Sequence, residues 1–103
     1  MPTKFFKKPF TIAGHFIKDI NKNICFTLVC NDDLAYKIVD KLNGRSTEHF
    51  NARIKMDNIL IDDVIVLKIN HFGYLNNFST CSYDKIRNEQ DKLLAYVITK
   101  LKE

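Results

Sequence analysis

Residues 52–70 read ARIKMDNILIDDVIVLKIN, and whether they form two strands or three decides the fold. β-branched side chains dominate and alternate with polar ones, as a pleated strand with one buried face requires. A two-residue turn at Asp57 and Asn58 pairs Met56 with Ile59 and Ile54 with Ile61 on one face, and sets Arg53 opposite Asp62 on the other. One uninterrupted strand from Ile59 to Asn70 would put Asp63 in line with Ile59, Ile61, Ile65, Leu67 and Ile69, where an unpaired buried carboxylate costs on the order of several kcal/mol. Asp62 and Asp63 are therefore read as a turn or bulge. Val64 to Asn70 becomes the most apolar strand and the central one.

Beyond this stretch the chain ends in a helix from about Tyr83 to Leu101. Ile86, Gln90, Leu93, Leu94, Val97 and Leu101 form its inward stripe, Lys85, Arg87, Asn88, Asp91, Lys92, Lys100 and Lys102 face water, and Ser82 or Thr80 caps it. On the amino-terminal side, NDDLAYKIVDKLNG (31–44) carries agreeing helix signals. Asn31 or Asp32 is a cap, Asp32 and Asp33 complement the positive end of the helix dipole, and Leu34, Ala35, Ile38, Val39 and Leu42 recur at helical spacing. Gly44 suits the left-handed turn that closes the helix.

Before that helix, residues 10–18 and 24–30 read as two strands of a hairpin joined around Asn21, Lys22 and Asn23. Pairing Ile20 with Ile24 puts Phe10, Ile12, Phe16, Ile24, Phe26, Leu28 and Cys30 on one face and leaves His15 partly exposed. A two- or four-residue loop would instead group His15 with Ile17, Phe26, Leu28 and Cys30. The first register sorts polarity better and is preferred, because a one-residue slip exchanges the faces. The fold expected is a single α+β domain over residues 1–103. It has an antiparallel sheet of 4–5 strands with two helices packed on one face, in the order ββα-ββ(β)-α.

Composition narrows the function classes. Apolar residues make up 46% with only three Gly and two Pro, which argues against disorder. No apolar run approaches the ~18 residues a bilayer span needs, and the amino terminus lacks the apolar core of a secretory signal, so no membrane partner is expected. Cys25, Cys30 and Cys81 are odd in number and lack CxxC spacing, which favours reduced thiols and a cytoplasmic address. The net charge of +4 resides entirely in residues 1–31, where Lys4, Lys7, Lys8, Lys18 and Lys22 face Asp19 alone. Such a segment meets phosphates or an acidic surface, or simply keeps a small domain soluble.

Chemistry-bearing motifs are sparse. His15, His49, His71 and the three cysteines fall at no metal-ligand spacing, so no metal and no cofactor is expected. Cys81 and His71 could be imagined as a nucleophile and its base, but no orienting third residue or oxyanion motif accompanies them, and a non-enzymatic role is expected. KFFKKPF interleaves Lys4, Lys7 and Lys8 with Phe5, Phe6 and Phe10, a pattern in which bases stack on rings while lysines neutralise phosphates; an edge segment kept soluble by lysines reads the same way. Tyr36, Phe50, Phe72, Tyr74, Phe78 and Tyr83 exceed what a sheet with two helices needs inside, and uncharged aromatic clusters favour protein interfaces. Within NHFGYLNNFSTCSY (70–83), Tyr74, Leu75, Asn76, Asn77 and Phe78 have no structural assignment and are the candidate protein-binding residues.

PFTIAGHFIKDINKNICFTLV followed by NDDLAYKIVDKLNG resembles a pattern met in small phage and mobile-element open reading frames. There a Gly-x-Phe-Ile-x-Asp hairpin precedes a short strand and an Ala-x-x-Ile-Val-x-x-Leu-Asn helix. The resemblance rests on Gly14, Phe16, Ile17, Asp19, Ala35, Ile38, Val39, Leu42 and Asn43, covers under half the chain, and departs after Gly44. The abundance of Lys, Asn and Ile is compatible with an AT-rich genome of that origin. The resemblance implies a small accessory protein that binds and blocks a host or defence protein.

Overall fold

The computed structural model describes residues 3, 5–70 and 82–103. Six strands, β1 (Thr11–Ala13), β2 (Phe16–Lys18), β3 (Ile24–Leu28), β4 (Ala52–Lys55), β5 (Asn58–Ile61) and β6 (Val64–Ile69), form one antiparallel sheet in the order β1-β2-β3-β6-β5-β4. Helices α1 (Asp32–Leu42) and α2 (Tyr83–Lys102) pack on one face of it. The class is α+β, as expected, with one or two more strands than the sequence reading allowed.

The additional strand comes from residues 10–18, which do not run straight. Gly14 adopts φ +63°, a conformation that only glycine takes without steric cost, and the chain reverses through Gly14 and His15 so that Ala13 pairs with Phe16. His15 is exposed because it sits in this turn. The β2–β3 register also differs from the preferred one: Ile17 faces Phe26 and Phe16 faces Thr27, with an irregularity between Ile17 and Lys18. Ile17, Phe26 and Leu28 are thus the buried set, and Phe16 points to the other face. Polarity sorting favours the other register because it puts Phe16 on the core side and Cys25 on the surface side, whereas the bulge and the early reversal exchange their sides.

The meander of 52–70 forms as three strands. Its first turn lies one residue earlier than expected, at Met56 and Asp57, so Ile54 faces Ile59, Ala52 faces Ile61, and Arg53 faces Leu60 rather than Asp62. Arg53 instead reaches Asp63, with Nε 2.8 Å from Oδ1. Asp62 and Asp63 form the second turn, both with positive φ (51° and 66°), and join Ile61 to Val64. β6 lies centrally between β3 and β5.

Both helices follow their sequence signals. The Asn31 side chain accepts the Leu34 N–H at 2.9 Å, and the Ser82 hydroxyl accepts that of Lys85 at 3.3 Å. The six residues of the expected α2 stripe are all buried, and Glu89 is buried beside them. The core joins Ile17, Phe26, Leu67, Ile59, Ile38, Leu42, Leu93 and Val97, which burial stabilises by about 1.5–3 kcal/mol per large side chain.

Candidate functional site

Three separate segments meet beside the start of α1. β3 is followed by Val29, whose N–H donates to the Val66 carbonyl oxygen at 3.0 Å, then by Cys30 and the helix cap Asn31. The connection from α1 to β4 returns past Glu48, His49 and Phe50, and is pinned by the Phe50 N–H to the Leu101 carbonyl oxygen at 2.9 Å. The β5–β6 turn closes the third side, held by the Asp62 N–H to the Asn51 carbonyl oxygen at 3.0 Å. Between them lies an open cleft of about 690 Å³, walled by Val29, Leu34, Phe50, Ile61, Val64 and Ile65. Val29 and Val64 are 44% and 64% exposed, so the mouth of the cleft presents apolar surface to solvent.

The polar residues of the cleft are Cys30, Asn31, Lys37, Glu48, His49, Asn51 and Asp62. Burial pushes the Cys30 thiol up, and the negative charge of Asp32 adds to the effect against a lowering backbone hydrogen bond. A protonated thiol at neutral pH is a poor nucleophile. Among the described residues no hydrogen-bond partner orients His49, and no group of three or more His, Cys, Asp or Glu side chains could hold a metal ion. The arrangement is an apolar wall with a charged rim.

No family model, curated protein or solved structure matches the chain.

The residues singled out from sequence fare differently. Tyr74, Leu75, Asn76, Asn77 and Phe78 lie outside the described residues, as do Lys4, His71 and Cys81. Of the basic-aromatic segment, Lys7 and Lys8 are exposed and Phe5 is half-buried, but Phe6 and Phe10 are each 1% exposed and belong to the core. Their rings offer no face to a base. Among the described residues, no helix is long and apolar enough to cross a membrane.

What holds this segment down is Asp19, a carboxylate only 2% exposed. It accepts the main-chain N–H groups of Lys7 (3.1 Å), Asn21 (3.0 Å) and Asn23 (2.8 Å) and the Asn23 side-chain amide (3.1 Å). Asn23 also donates to the Phe5 carbonyl oxygen at 3.2 Å, and Lys7 accepts the Ile20 N–H at 3.0 Å. The amino-terminal segment is thereby laced to the β2–β3 turn. Asp19 as the sole acid among five lysines was the available signal, although composition does not say whether such an acid faces solvent or organises a turn.

Proposed function

We propose that the chain is a small non-enzymatic binding protein of phage or mobile-element origin, which works in the cytoplasm by occupying a surface of a host or defence protein. The observation that carries this reading is the open apolar cleft with Val29 and Val64 exposed at its mouth. Covering two such side chains is worth roughly 1.5–2 kcal/mol each, the scale of an interface anchor. The rim adds Glu48 and Asp62 against Lys37, with Asp32 and Asp33 exposed in the adjacent first turn of α1. The fitting partner is a segment with one large apolar side chain flanked by Lys or Arg. Tyr74 to Phe78 is kept as a second candidate contact.

The test is affinity capture from the native host with the wild-type chain, a Val29→Asp/Val64→Asp variant and a Tyr74→Ala/Phe78→Ala variant, followed by titration calorimetry with the purified partner. A partner bound by the wild type and lost from the first variant supports the cleft, and one lost only from the second moves the interface to the 74–78 segment. Partners retained equally by all three would reject the reading. Nucleic-acid binding through the amino-terminal strand is the second reading; it keeps its exposed Lys7 and Lys8 but loses the rings of Phe6 and Phe10 to the core.

A further inference from the structure

The register defines one line of side chains across the whole sheet. Ala13 faces Phe16, Phe16 faces Thr27, Thr27 faces Lys68, Lys68 faces Asn58, and Asn58 faces Lys55. Residues directly opposite one another project from the same face, so these six form a single row spanning all six strands, about 24 Å long at the usual strand spacing. Their neighbours along the strands, Ile17, Phe26, Leu67 and Ile59, belong to the core beneath the helices. The row therefore lies on the opposite face.

Lys55 and Lys68 are exposed, and Phe16, Thr27 and Asn58 are partly exposed. Lys18, two residues along β2 from Phe16, adds a third cation to this face. Among the described residues, none of the three lysines has an ion-pair or side-chain hydrogen-bond partner. The row contains no carboxylate. Of the carboxylates in the flanking turns, Asp63 is paired with Arg53, Asp57 with Arg87, and Asp19 is buried and bonded to N–H groups, while Asp62 is exposed. The row is thus positive and carries one aromatic ring, Phe16, between Ala13 and the hydroxyl-bearing Thr27.

We infer that this row is a binding track for single-stranded nucleic acid. Lys18, Lys55 and Lys68 meet phosphates, Phe16 offers a ring to one base, and Thr27 and Asn58 hydrogen-bond between them. A ring standing on a sheet can stack only on an unpaired base, because a duplex keeps its base faces inside the helical stack. This track is separate from the cleft and from the buried Phe6 and Phe10.

The test is fluorescence anisotropy with labelled single strands of mixed sequence, RNA and DNA, about 20 nucleotides long, between about 50 and 200 mM salt. Lys55→Glu/Lys68→Glu is expected to lose affinity by about tenfold or more and to reduce the slope of log K against log salt by about 1.4, since each phosphate contact on a single strand contributes about 0.7. Phe16→Leu, which keeps an apolar side chain, is expected to lose affinity several-fold with the slope unchanged. Lys102→Glu, a single charge reversal and so half that change, at the end of α2, and Val64→Asp in the cleft are expected to leave binding unchanged beyond the small effect of net charge. Circular dichroism confirms that each variant is folded. No binding at low salt, an equal loss in Lys102→Glu, a duplex bound as tightly as the single strand, or polyglutamate competing as well as the oligonucleotide would each overturn the inference. Loss of the track leaves the cleft reading standing, and the reverse.

Discussion

The side chain of Asn43 makes two hydrogen bonds with the main chain of Phe10, accepting its N–H at 2.7 Å and donating to its carbonyl oxygen at 2.8 Å. The amide imitates a neighbouring strand, and so fastens the end of α1 to the residue that leads into β1. Replacing it leaves a donor and an acceptor without partners beside a buried ring. Asn43→Ala is expected to destabilise the fold by about 1–3 kcal/mol, read as a lower urea midpoint at constant m-value. An unchanged midpoint would show that water satisfies Phe10 equally well.

Asp19 poses a sharper demand, because all four of its bonds are donated by N–H groups. Asp19→Asn preserves shape but turns an NH2 group toward at least one of these donors. The expected loss is about 2–3 kcal/mol, since hydrogen bonds to a charged acceptor are the stronger kind and a facing pair of donors repels. Hydrogen exchange should show the amides of Lys7, Asn21 and Asn23 losing protection together. Loss confined to one of them would mean that the carboxylate does not act as a single hub.

The β5–β6 turn runs against side-chain preference. Asp62 and Asp63 both hold positive φ, the conformation in which Asn-Gly is favoured for a two-residue hairpin turn. Asp62→Asn/Asp63→Gly is expected to stabilise the domain by about 0.5–1 kcal/mol. The lost Arg53–Asp63 pair is exposed on both sides and screened, so it offsets little of this gain. A thermal midpoint that falls would show that the pair outweighs the backbone term.

Cys25 links stability to alkaline pH. Burial pushes its thiol well above the ordinary value of 9.0, and the charge of Asp19 raises it further against a lowering hydrogen bond. Burial likewise raises Tyr96, partly opposed by Lys100. In each case the folded state keeps a proton that the unfolded chain releases, so the contribution is complete below the unfolded value and declines as pH rises toward the folded one. Urea midpoints should therefore fall above about pH 9. Cys25→Ala should lower stability overall yet flatten that decline, and an undiminished decline in the variant would assign it elsewhere.

The parts of this fold that were legible in the chain are those whose causes act over a few residues. Asn31 and Ser82 cap the next turn, Ile86 to Leu101 repeat at helical spacing, and Asp62-Asp63 interrupts an apolar strand because a carboxylate does not stay buried unpaired. Gly14 carried the signal for the β1–β2 reversal, but glycine within an apolar run also fits a continuous strand.

What local pattern could not encode is where distant segments meet. Phe6 and Phe10 read as stacking rings among lysines, yet both are buried in a segment that Asp19 holds through the Lys7 N–H and Asn43 through the main chain of Phe10. The cleft needs residues 29–34, 48–51 and 61–66 together, and the lysine row needs a register that a bulge shifts by one residue. Helix caps and periodicity are enforced by nearest-neighbour hydrogen bonds and sterics. Cleft, row and buried carboxylate arise from long-range pairing, in which a single-residue slip sends every side chain to the other face.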